Sequence, residues 1–260
     1  MASSYRRSHP GSRPSTPLYL FIAILAALII TYAMHIRAAI QSPPPQETLP
    51  IPSAPQPSAS SPTSSPEQEL PWNLKLVNRE FPQDPSYLPT TAALSNGKEV
   101  DIRIYDALLS MLNDCRAAGL NPVVCSAYRS IETQTQLFDN KISRLMEDGM
   151  SYGEAYQAAS TEVAIPGTSE HSLGLAVDIC ALSYQLLDEA QAETAEQKWL
   201  MAHCTDYGFI LRFPKEKEHI TGIIWEPWHY RYVGVEAAKA IEESGLCLEE
   251  YLAQAYSTAS

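Results

Sequence analysis

The chain has 260 residues and a formal net charge of −12, which limits the classes of partner that it can bind. Residues 1–40 hold four arginines and no aspartate or glutamate, so the remainder carries 14 basic and 30 acidic side chains, a net charge of −16. Nucleic-acid binding requires a basic surface that neutralises phosphates. The acidic remainder therefore argues against a nucleic-acid-binding protein and leaves room only for local basic groups inside a pocket.

An apolar segment near the N-terminus predicts membrane attachment. Leu18–Met34 reads "LYLFIAILAALIITYAM" without a charge, close to the shortest stretch that spans a bilayer as a helix. Three arginines precede it and only Arg37 follows closely, so the positive-inside rule predicts a cytoplasmic segment at 1–17 and a single-pass transmembrane helix at 18–36. A cleaved signal peptide is the alternative, although no A-x-A-like site follows. Both interpretations predict that the rest of the chain is extracytoplasmic.

A linker rich in proline and serine is predicted at 37–71. Ten of the thirty-one residues at 41–71 are proline, and most of the others are small or polar. Proline removes backbone donors and favours an extended chain, so no core can form here. Fully extended, this stretch would reach roughly 100 Å at ~3.1 Å per residue. It is interpreted as a disordered spacer between the membrane and a folded domain.

A folded domain is predicted at 72–256, because helix and strand patterns are interspersed there and the length suffices for one core. Its first helix is predicted over Asp101–Ala118, where apolar residues recur at i, i+3, i+4 and i+7. Ser130 can cap a second helix, and Ser151–Glu154 fits a capping box that begins a third.

Short apolar runs predict the strands of this domain. The strand candidates are "NPVVCSAYR", "LGLAVDI", "GFILRF" and "HYRYVGV". Two more helices are predicted, at "TAEQKWLMAHC" and "EAAKAIEESG". This order predicts an α+β fold: a small, mainly antiparallel sheet with flanking helices and hairpin-length links among the later strands.

Five cysteines are present, and their pairing is left open by the sequence. Disulfides are possible in an exported domain, and the odd count leaves at least one thiol unpaired or bonded to another chain. No C-x-x-C pair occurs, which argues against a thiolate zinc site or a thioredoxin-type motif. The cysteines are Cys115, Cys125, Cys180, Cys204 and Cys247.

His171 and Asp178 form the first candidate pair for metal binding. Gly174 lies between them and can turn the chain, because glycine tolerates backbone angles that other residues avoid. Asp178 stands in an apolar strand pattern, where a carboxylate is expensive to bury unless it is paired or binds a cation. A core salt bridge between the two side chains is the alternative interpretation.

His229 and Glu226 form the second candidate pair. They are three residues apart, and a bulge or loop at Pro227–Trp228 would let both side chains reach one cavity. Two imidazoles and one carboxylate are a common zinc set that leaves a fourth position for water, and a second carboxylate can then act as general base and acid. His203 and His219, in a helix and a charged loop, are interpreted as structural or solvated.

Arg129 lies at the end of the predicted strand, in "SAYRS", beside Tyr128. An arginine at a strand end can bind a carboxylate or stabilise a developing oxyanion. A structural arginine paired with a surface acid is the alternative.

Three stretches together resemble the signature of the zinc D-alanyl-D-alanine carboxypeptidases of the VanY type, which are similar to the D-Ala-D-Ala dipeptidases and to the Hedgehog signalling domain. These stretches are "SAYRSIETQ", "PGTSEHSLGLAVDI" and "EPWHYRYVG". The opening segment "LVNREFPQDPSYLP" resembles the start of the domain in that family. Two features depart from the family pattern: Ala127 stands where glycine is frequent, and the cysteines are not a general family feature.

The resemblance implies a role for each matching residue. His171, Asp178 and His229 would hold Zn²⁺, Glu226 would be the general base and acid, and Arg129 would stabilise the anionic intermediate or orient the substrate. The positions implied to line the substrate site are Ser126, Gln134 and Ser169. The implied substrate is a peptidoglycan stem peptide that ends in D-Ala.

The sequence thus predicts a membrane-anchored zinc D,D-carboxypeptidase and leaves three alternatives. An L,D-carboxypeptidase acting on tetrapeptides, or an endopeptidase, would use the same chemistry on a different bond. A wall-peptide binding or sensing module would keep the site without turnover. A serine hydrolase is disfavoured, because no G-x-S-x-G elbow is present.

Overall fold

The computed structural model describes residues 70–257, which form seven α-helices. Ser130 accepts a hydrogen bond from the backbone N–H of Thr133, and Ser151 and Glu154 form a reciprocal capping box, so both predicted helix starts are confirmed. In chain order the helices are α1 (Tyr105–Ala117), α2 (Ile131–Glu147), α3 (Tyr152–Glu162), α4 (Ala195–His203), α5 (Glu218–Thr221), α6 (Val235–Ser244) and α7 (Leu248–Ser257).

Six strands form two antiparallel sheets in this part of the chain. The first two strands form a small hairpin, and the other four form a sheet in the order β3-β4-β6-β5. The strands are β1 (Thr91–Ala93), β2 (Glu99–Asp101), β3 (Pro122–Ser126), β4 (Ala176–Ala181), β5 (Phe209–Leu211) and β6 (His229–Tyr232). The predicted α+β class, with a small antiparallel sheet and flanking helices, is confirmed.

The predicted hairpin-length links among the later strands are wrong. Residues 182–208, including α4, connect β4 to β5, and residues 212–228, including α5, connect β5 to β6. The true hairpin joins β1 to β2 and was not predicted. The long connections let β6 lie between β4 and β5, although it follows both in the chain.

The principal core lies between α1 and the four-stranded sheet. Leu108, Met111 and Leu112 of α1 are buried, as their helical spacing predicts, and they pack in one cluster with apolar residues of β4. All six residues of β4 are buried, so this strand is covered on both faces. Any polar side chain that β4 carries must therefore find a partner inside the protein.

One disulfide joins neighbouring strands. Cys125 of β3 is bonded to Cys180 of β4, with 6.5 Å between their Cα atoms. It lies beside a register shift between Val124 and Ser126, where the β3–β4 pairing is irregular. The remaining cysteines are buried free thiols: Cys115, Cys204 and Cys247.

The N-terminal predictions concern a different part of the chain. The cytoplasmic segment at 1–17, the transmembrane helix at 18–36 and nearly all of the linker at 37–71 lie outside the described residues. Among residues 70–257, no helix combines the length and apolar character needed to cross a bilayer.

Candidate active site

Three side chains that are distant in sequence converge at the middle of the sheet. Asp178 of β4 pairs directly with His229 of β6, and His171 lies on the 3₁₀ turn Glu170–Leu173 that precedes β4. One potential ligand atom from each side chain lies within 4.8 Å of the other two. All three side chains are buried. The structure therefore brings together the three residues that the sequence predicts to share one site.

Gly174 makes the approach of His171 to Asp178 possible. Its φ of 72° lies in the left-handed region, and a Cβ atom there would lie 2.8 Å from the backbone nitrogen of Asp101. That nitrogen donates a hydrogen bond of 2.9 Å to the carbonyl of Gly174. Only glycine combines this angle with such a close approach, so the turn that aims His171 at β4 depends on it.

The ring nitrogens of the two histidines are used differently. His171 Nδ1 lies 2.7 Å from the carbonyl oxygen of Ala127, which fixes this nitrogen as the donor and turns Nε2 toward Asp178 Oδ2 at 3.2 Å. His229 instead turns Nδ1 toward Asp178 Oδ1 at 3.1 Å. One histidine thus offers Nε2, and the other offers Nδ1, to the same small volume.

This set of atoms fits a divalent cation. His171 Nε2 and Asp178 Oδ1 are buried without a hydrogen-bond partner among the described residues, which is costly for polar atoms unless an ion satisfies them. Two imidazole nitrogens and one carboxylate are ligands that zinc accepts, and imidazole-carboxylate sites also take neighbouring divalent ions.

Electrostatics keep the ligands in mixed protonation states before a cation binds. Burial lowers the pKa of His171 to about 4, and Arg129 acts in the same direction. Burial also opposes protonation of His229, but Asp178 and Glu170 outweigh it and raise the pKa of His229 to about 9. Burial works to raise the pKa of Asp178, yet its contacts with the two histidines hold it well below its usual range. A divalent cation held by these three side chains would take the place of the proton on His229 and would be balanced by the ionised Asp178.

Comparison with known proteins decides the family. A family model described as VanY, D-alanyl-D-alanine carboxypeptidase, matches residues 97–235. The D-alanyl-D-alanine carboxypeptidase of Enterococcus faecalis is 46% identical over 187 residues, which cover 72% of this chain and 67% of that protein. The chain belongs to the VanY family of D-alanyl-D-alanine carboxypeptidases.

Two solved VanY-type structures are similar in fold and sequence. A glutamate-to-alanine mutant of the vancomycin-resistance D,D-pentapeptidase VanY from a VanB-type cassette, in complex with Zn(II), is 45% identical with a TM-score of 0.65; the match covers 70% of this chain and 99% of that one. VanYB in complex with D-alanine-D-alanine is 44% identical with a TM-score of 0.65, over 70% and 98% of the two chains.

In this VanY-family chain, Glu226 reaches the same site from the segment before β6. The turn at Pro227–Trp228 reverses the chain, with the His229 N–H donating to the Glu226 carbonyl at 3.2 Å, so both side chains face one cavity. Glu226 Oε2 lies 3.4 Å from His229 Nδ1. Burial raises the pKa of Glu226 to about 8, against the opposing charge of His229. The bulge or loop that would let both side chains reach one cavity is present as a turn at Pro227–Trp228.

Arg129 follows β3 in the chain and lies close to the ligand Asp178. Its Nη2 lies 3.9 Å from Asp178 Oδ2, and its backbone N–H donates to the carbonyl of His171 at 3.2 Å. Its Nε has no hydrogen-bond partner among the described residues. Burial lowers the pKa of Arg129, and the charges of Asp178 and Glu226 counteract this. Arg129 is among the residues that line the cavity. The alternative of a pairing with a surface acid is wrong, because its nearest carboxylate is the buried Asp178.

The three residues implied to bind substrate have different positions. Gln134 and Ser169 line a cavity of about 620 Å³, which also contains Arg129 and Glu226. Gln134 donates Nε2–H to the carbonyl of Ala164 at 2.7 Å, and its buried Oε1 has no partner among the described residues. Ser126 pairs with Asp178 in the sheet but is not among the residues that line the cavity.

A buried charged group next to the ligands was not predicted from the sequence; it consists of Glu170, Arg212 and Arg231, each at most 3% exposed. Arg212 donates Nε–H to Glu170 at 2.8 Å, and Arg231 Nη1 lies 2.8 Å from the same oxygen. The signal was present, because both arginines stand in apolar strand patterns, where a charge needs a buried partner.

Proposed function

We propose that this chain is a membrane-anchored zinc D,D-carboxypeptidase that removes the C-terminal D-alanine from peptidoglycan stem peptides. Its enzyme class follows from its family: it is a zinc-dependent D-alanyl-D-alanine carboxypeptidase. The observation that carries the proposal is a buried His171–Asp178–His229 set with unpartnered ligand atoms, beside Glu226 and Arg129 in one cavity.

The metal would be held by His171 Nε2, Asp178 and His229 Nδ1. Zinc at such a site acts as a Lewis acid and lowers the pKa of water to about 7. The chain's own part is to fix these atoms. The Ala127 carbonyl orients one imidazole, and the pairing of β4 with β6 places the other opposite the carboxylate.

Glu226 would move the proton. Its side chain lies within reach of the ligand cluster and lines the cavity. Burial raises its pKa to about 8, so the ionised form that can accept a proton from an attacking water becomes the major one as the pH rises through 8, and the protonated form can return that proton to the departing amine of D-alanine. Its burial restricts exchange with solvent between the two steps.

Arg129 would stabilise negative charge on the substrate. Its unpartnered Nε and its position beside Asp178 leave N–H donors for a carbonyl oxygen that becomes anionic or for the terminal carboxylate. Gln134 and Ser169 would contact the peptide from the cavity wall, and the free Oε1 of Gln134 suits a peptide N–H. A contact from Ser126 stays a prediction from the family resemblance.

The membrane anchor and the extracytoplasmic location are supported by the sequence alone. The uncharged segment at 18–34, its flanking arginines and the proline-rich linker would place the catalytic domain in the wall layer. Fractionation of cells that express the full-length chain should recover it with membranes, and deletion of 18–36 should release it. Recovery of the intact chain in the soluble fraction would contradict the anchor.

The substrate assay uses purified full-length chain with two stem peptides, a pentapeptide ending in D-Ala-D-Ala and the tetrapeptide derived from it. We expect release of one D-alanine from the pentapeptide and little from the tetrapeptide. Preferential cleavage of the tetrapeptide would favour the L,D-carboxypeptidase alternative. Binding of zinc and peptide without turnover would favour the sensing module.

A further inference from the structure

His229 faces a second carboxylate on the side of its ring that does not meet Asp178. Its Nε2 lies 3.8 Å from Glu170 Oε2, and both residues are buried. Neither atom has a hydrogen-bond partner among the described residues. Two buried polar atoms without partners that face one another need only a small shift to form a hydrogen bond. That bond would keep the proton on Nε2 and leave Nδ1 for the cation.

Glu170 is itself held by Arg212, which continues the contacts away from the cavity. Arg212 donates Nε–H to Glu170 Oε1 at 2.8 Å. The other end of its guanidinium donates from Nη1 and Nη2 to the two carboxylate oxygens of Glu249, at 2.9 and 2.6 Å. A two-point contact of this kind fixes the plane of the arginine and hence the position of Glu170.

Glu249 belongs to the first turn of α7 and lies beyond residues 97–235, the stretch that the family model matches. Glu249 accepts a hydrogen bond from Asn78 Nδ2 at 3.3 Å as well as the two from Arg212. Hydrogen bonds thus link α7 to Glu170 through Arg212, and Glu170 Oε2 in turn lies 3.8 Å from Nε2 of the ligand His229.

The charged side chains between α7 and His229 have no net charge. Glu170 and Glu249 supply two negative charges, and Arg212 and Arg231 supply two positive ones, all in or near the core. Loss of the charge on Glu249 would leave two guanidinium groups facing Glu170 alone. Glu170 would then be drawn toward the arginines and would be a weaker acceptor for His229.

We propose that Glu249 is a positioning residue for the metal site, acting through Arg212 and Glu170 to hold His229 in the orientation that binds a cation. The inference rests on the proposed function, because it assumes that His229 is a zinc ligand. α7 would then contribute to the affinity for the metal, although none of the three ligands belongs to this helix.

The test measures the dissociation constant of zinc for the full-length chain by competition with a chelating dye. Glu170→Gln should weaken binding about 10- to 100-fold, the usual cost of losing a carboxylate that contacts a ligand histidine. Glu249→Gln, one step further away, should weaken it about tenfold, at the low end of that range. Glu249→Asp keeps the charge and should restore part of the loss.

Two further variants test whether Glu249 acts on zinc affinity through Glu170 or whether its substitution damages α7 in general. Glu250→Gln changes the neighbouring residue, which pairs with Lys217 rather than Arg212, and should leave zinc affinity unchanged. The double variant Glu170→Gln/Glu249→Gln should bind zinc no more weakly than Glu170→Gln alone, because the second change acts through the first. Circular dichroism at the assay temperature verifies that each variant is folded.

The outcomes distinguish this inference from the proposed function. If the unsubstituted chain binds zinc and Glu249→Gln binds it equally well, the positioning role is wrong and the metal site stands. Additive losses in the double variant would also overturn it, since Glu249 would then act by another route. If the unsubstituted chain binds no zinc, both the proposed function and this inference are wrong.

Discussion

Replacement of Glu226 by glutamine is the sharpest test of the catalytic assignment. Glutamine has the same shape, so the cavity and the turn at Pro227–Trp228 should persist while the group that accepts the proton is lost. General acid–base catalysis contributes about 10²–10⁴-fold. That range corresponds to about 2.7–5.4 kcal/mol at 1.36 kcal/mol per factor of ten.

The structure places the expected loss in the upper part of that range. Asp178 is a metal ligand, and the other carboxylates that line the cavity are already engaged. Glu162 pairs with Lys141, Glu170 with Arg212 and Glu189 with Lys215, and Asp188 accepts a hydrogen bond from Tyr184. Among the described residues that line the cavity, no free carboxylate lies as close to the ligands as Glu226, so a substitute base is lacking.

The assay is D-alanine release from a pentapeptide, with zinc content measured on the same samples. Glu226→Gln should retain zinc and lose about 10³–10⁴-fold in kcat. Glu196→Gln is the matched control, because Glu196 is equally buried, at 8% exposure, but lies outside the cavity. Activity of Glu226→Gln within tenfold of the unsubstituted chain would refute the assignment.

Three further predictions follow from the site and its supports. Arg129→Ala should lower kcat/KM about 100- to 1,000-fold, which is the usual cost of losing an oxyanion donor. Zinc binding should not weaken, because the substitution removes a positively charged guanidinium that lies 3.9 Å from the ligand Asp178. Loss of zinc from this variant would contradict the prediction. Treatment with a chelator should abolish D-alanine release and added zinc should restore it, whereas a serine-directed acylating agent should have no effect; the reverse pattern would favour the serine hydrolase. Glu249→Gln should lower the free energy of unfolding at neutral pH by about 1.5–3 kcal/mol, the worth of hydrogen bonds to a charged group. Burial works to raise the pKa of Glu249, but Arg212 outweighs it and holds this pKa below 4.5, so its contribution is present above pH 4.5 and is lost as the pH falls through the folded-state pKa. The difference in stability between the two proteins should therefore narrow in acid, and a constant difference would contradict the pairing.

Asp178 and His171 were predictable as metal ligands because the residues around each have a physical explanation. Asp178 is a carboxylate in a run of apolar residues, and Gly174 is a turn residue placed to bring His171 near it. The family resemblance then selected the metal site over the core salt bridge, which the residues alone left open.

Other features depend on register, which one sequence does not reveal. The direct pairing of Asp178 with His229 requires β6 to insert between β4 and β5, contrary to the chain order that suggested hairpins. The β1–β2 hairpin was missed despite the Asn-Gly turn at Asn96–Gly97, because its strands have only three residues each.

The buried charges were missed for a related reason. Arg212 and Arg231 could be seen to need partners, but Glu170 and Glu249 could be matched to them only once the strands and the last helix were placed. The cysteine pairing could not be predicted for the same reason, because the proximity of Cys125 and Cys180 follows from the β3–β4 register.

The disulfide divides the active site into two sets of residues. The loop that it closes, with a sequence separation of 55, contains Arg129, His171 and Asp178, whereas Glu226 and His229 lie outside. A closed loop of this length stabilises the folded state by about 4 kcal/mol in the chain-entropy model. Thiol reductants added during purification would remove that restraint from the loop that carries two of the three metal ligands. Preparations kept oxidised should therefore hold their metal more firmly than reduced ones.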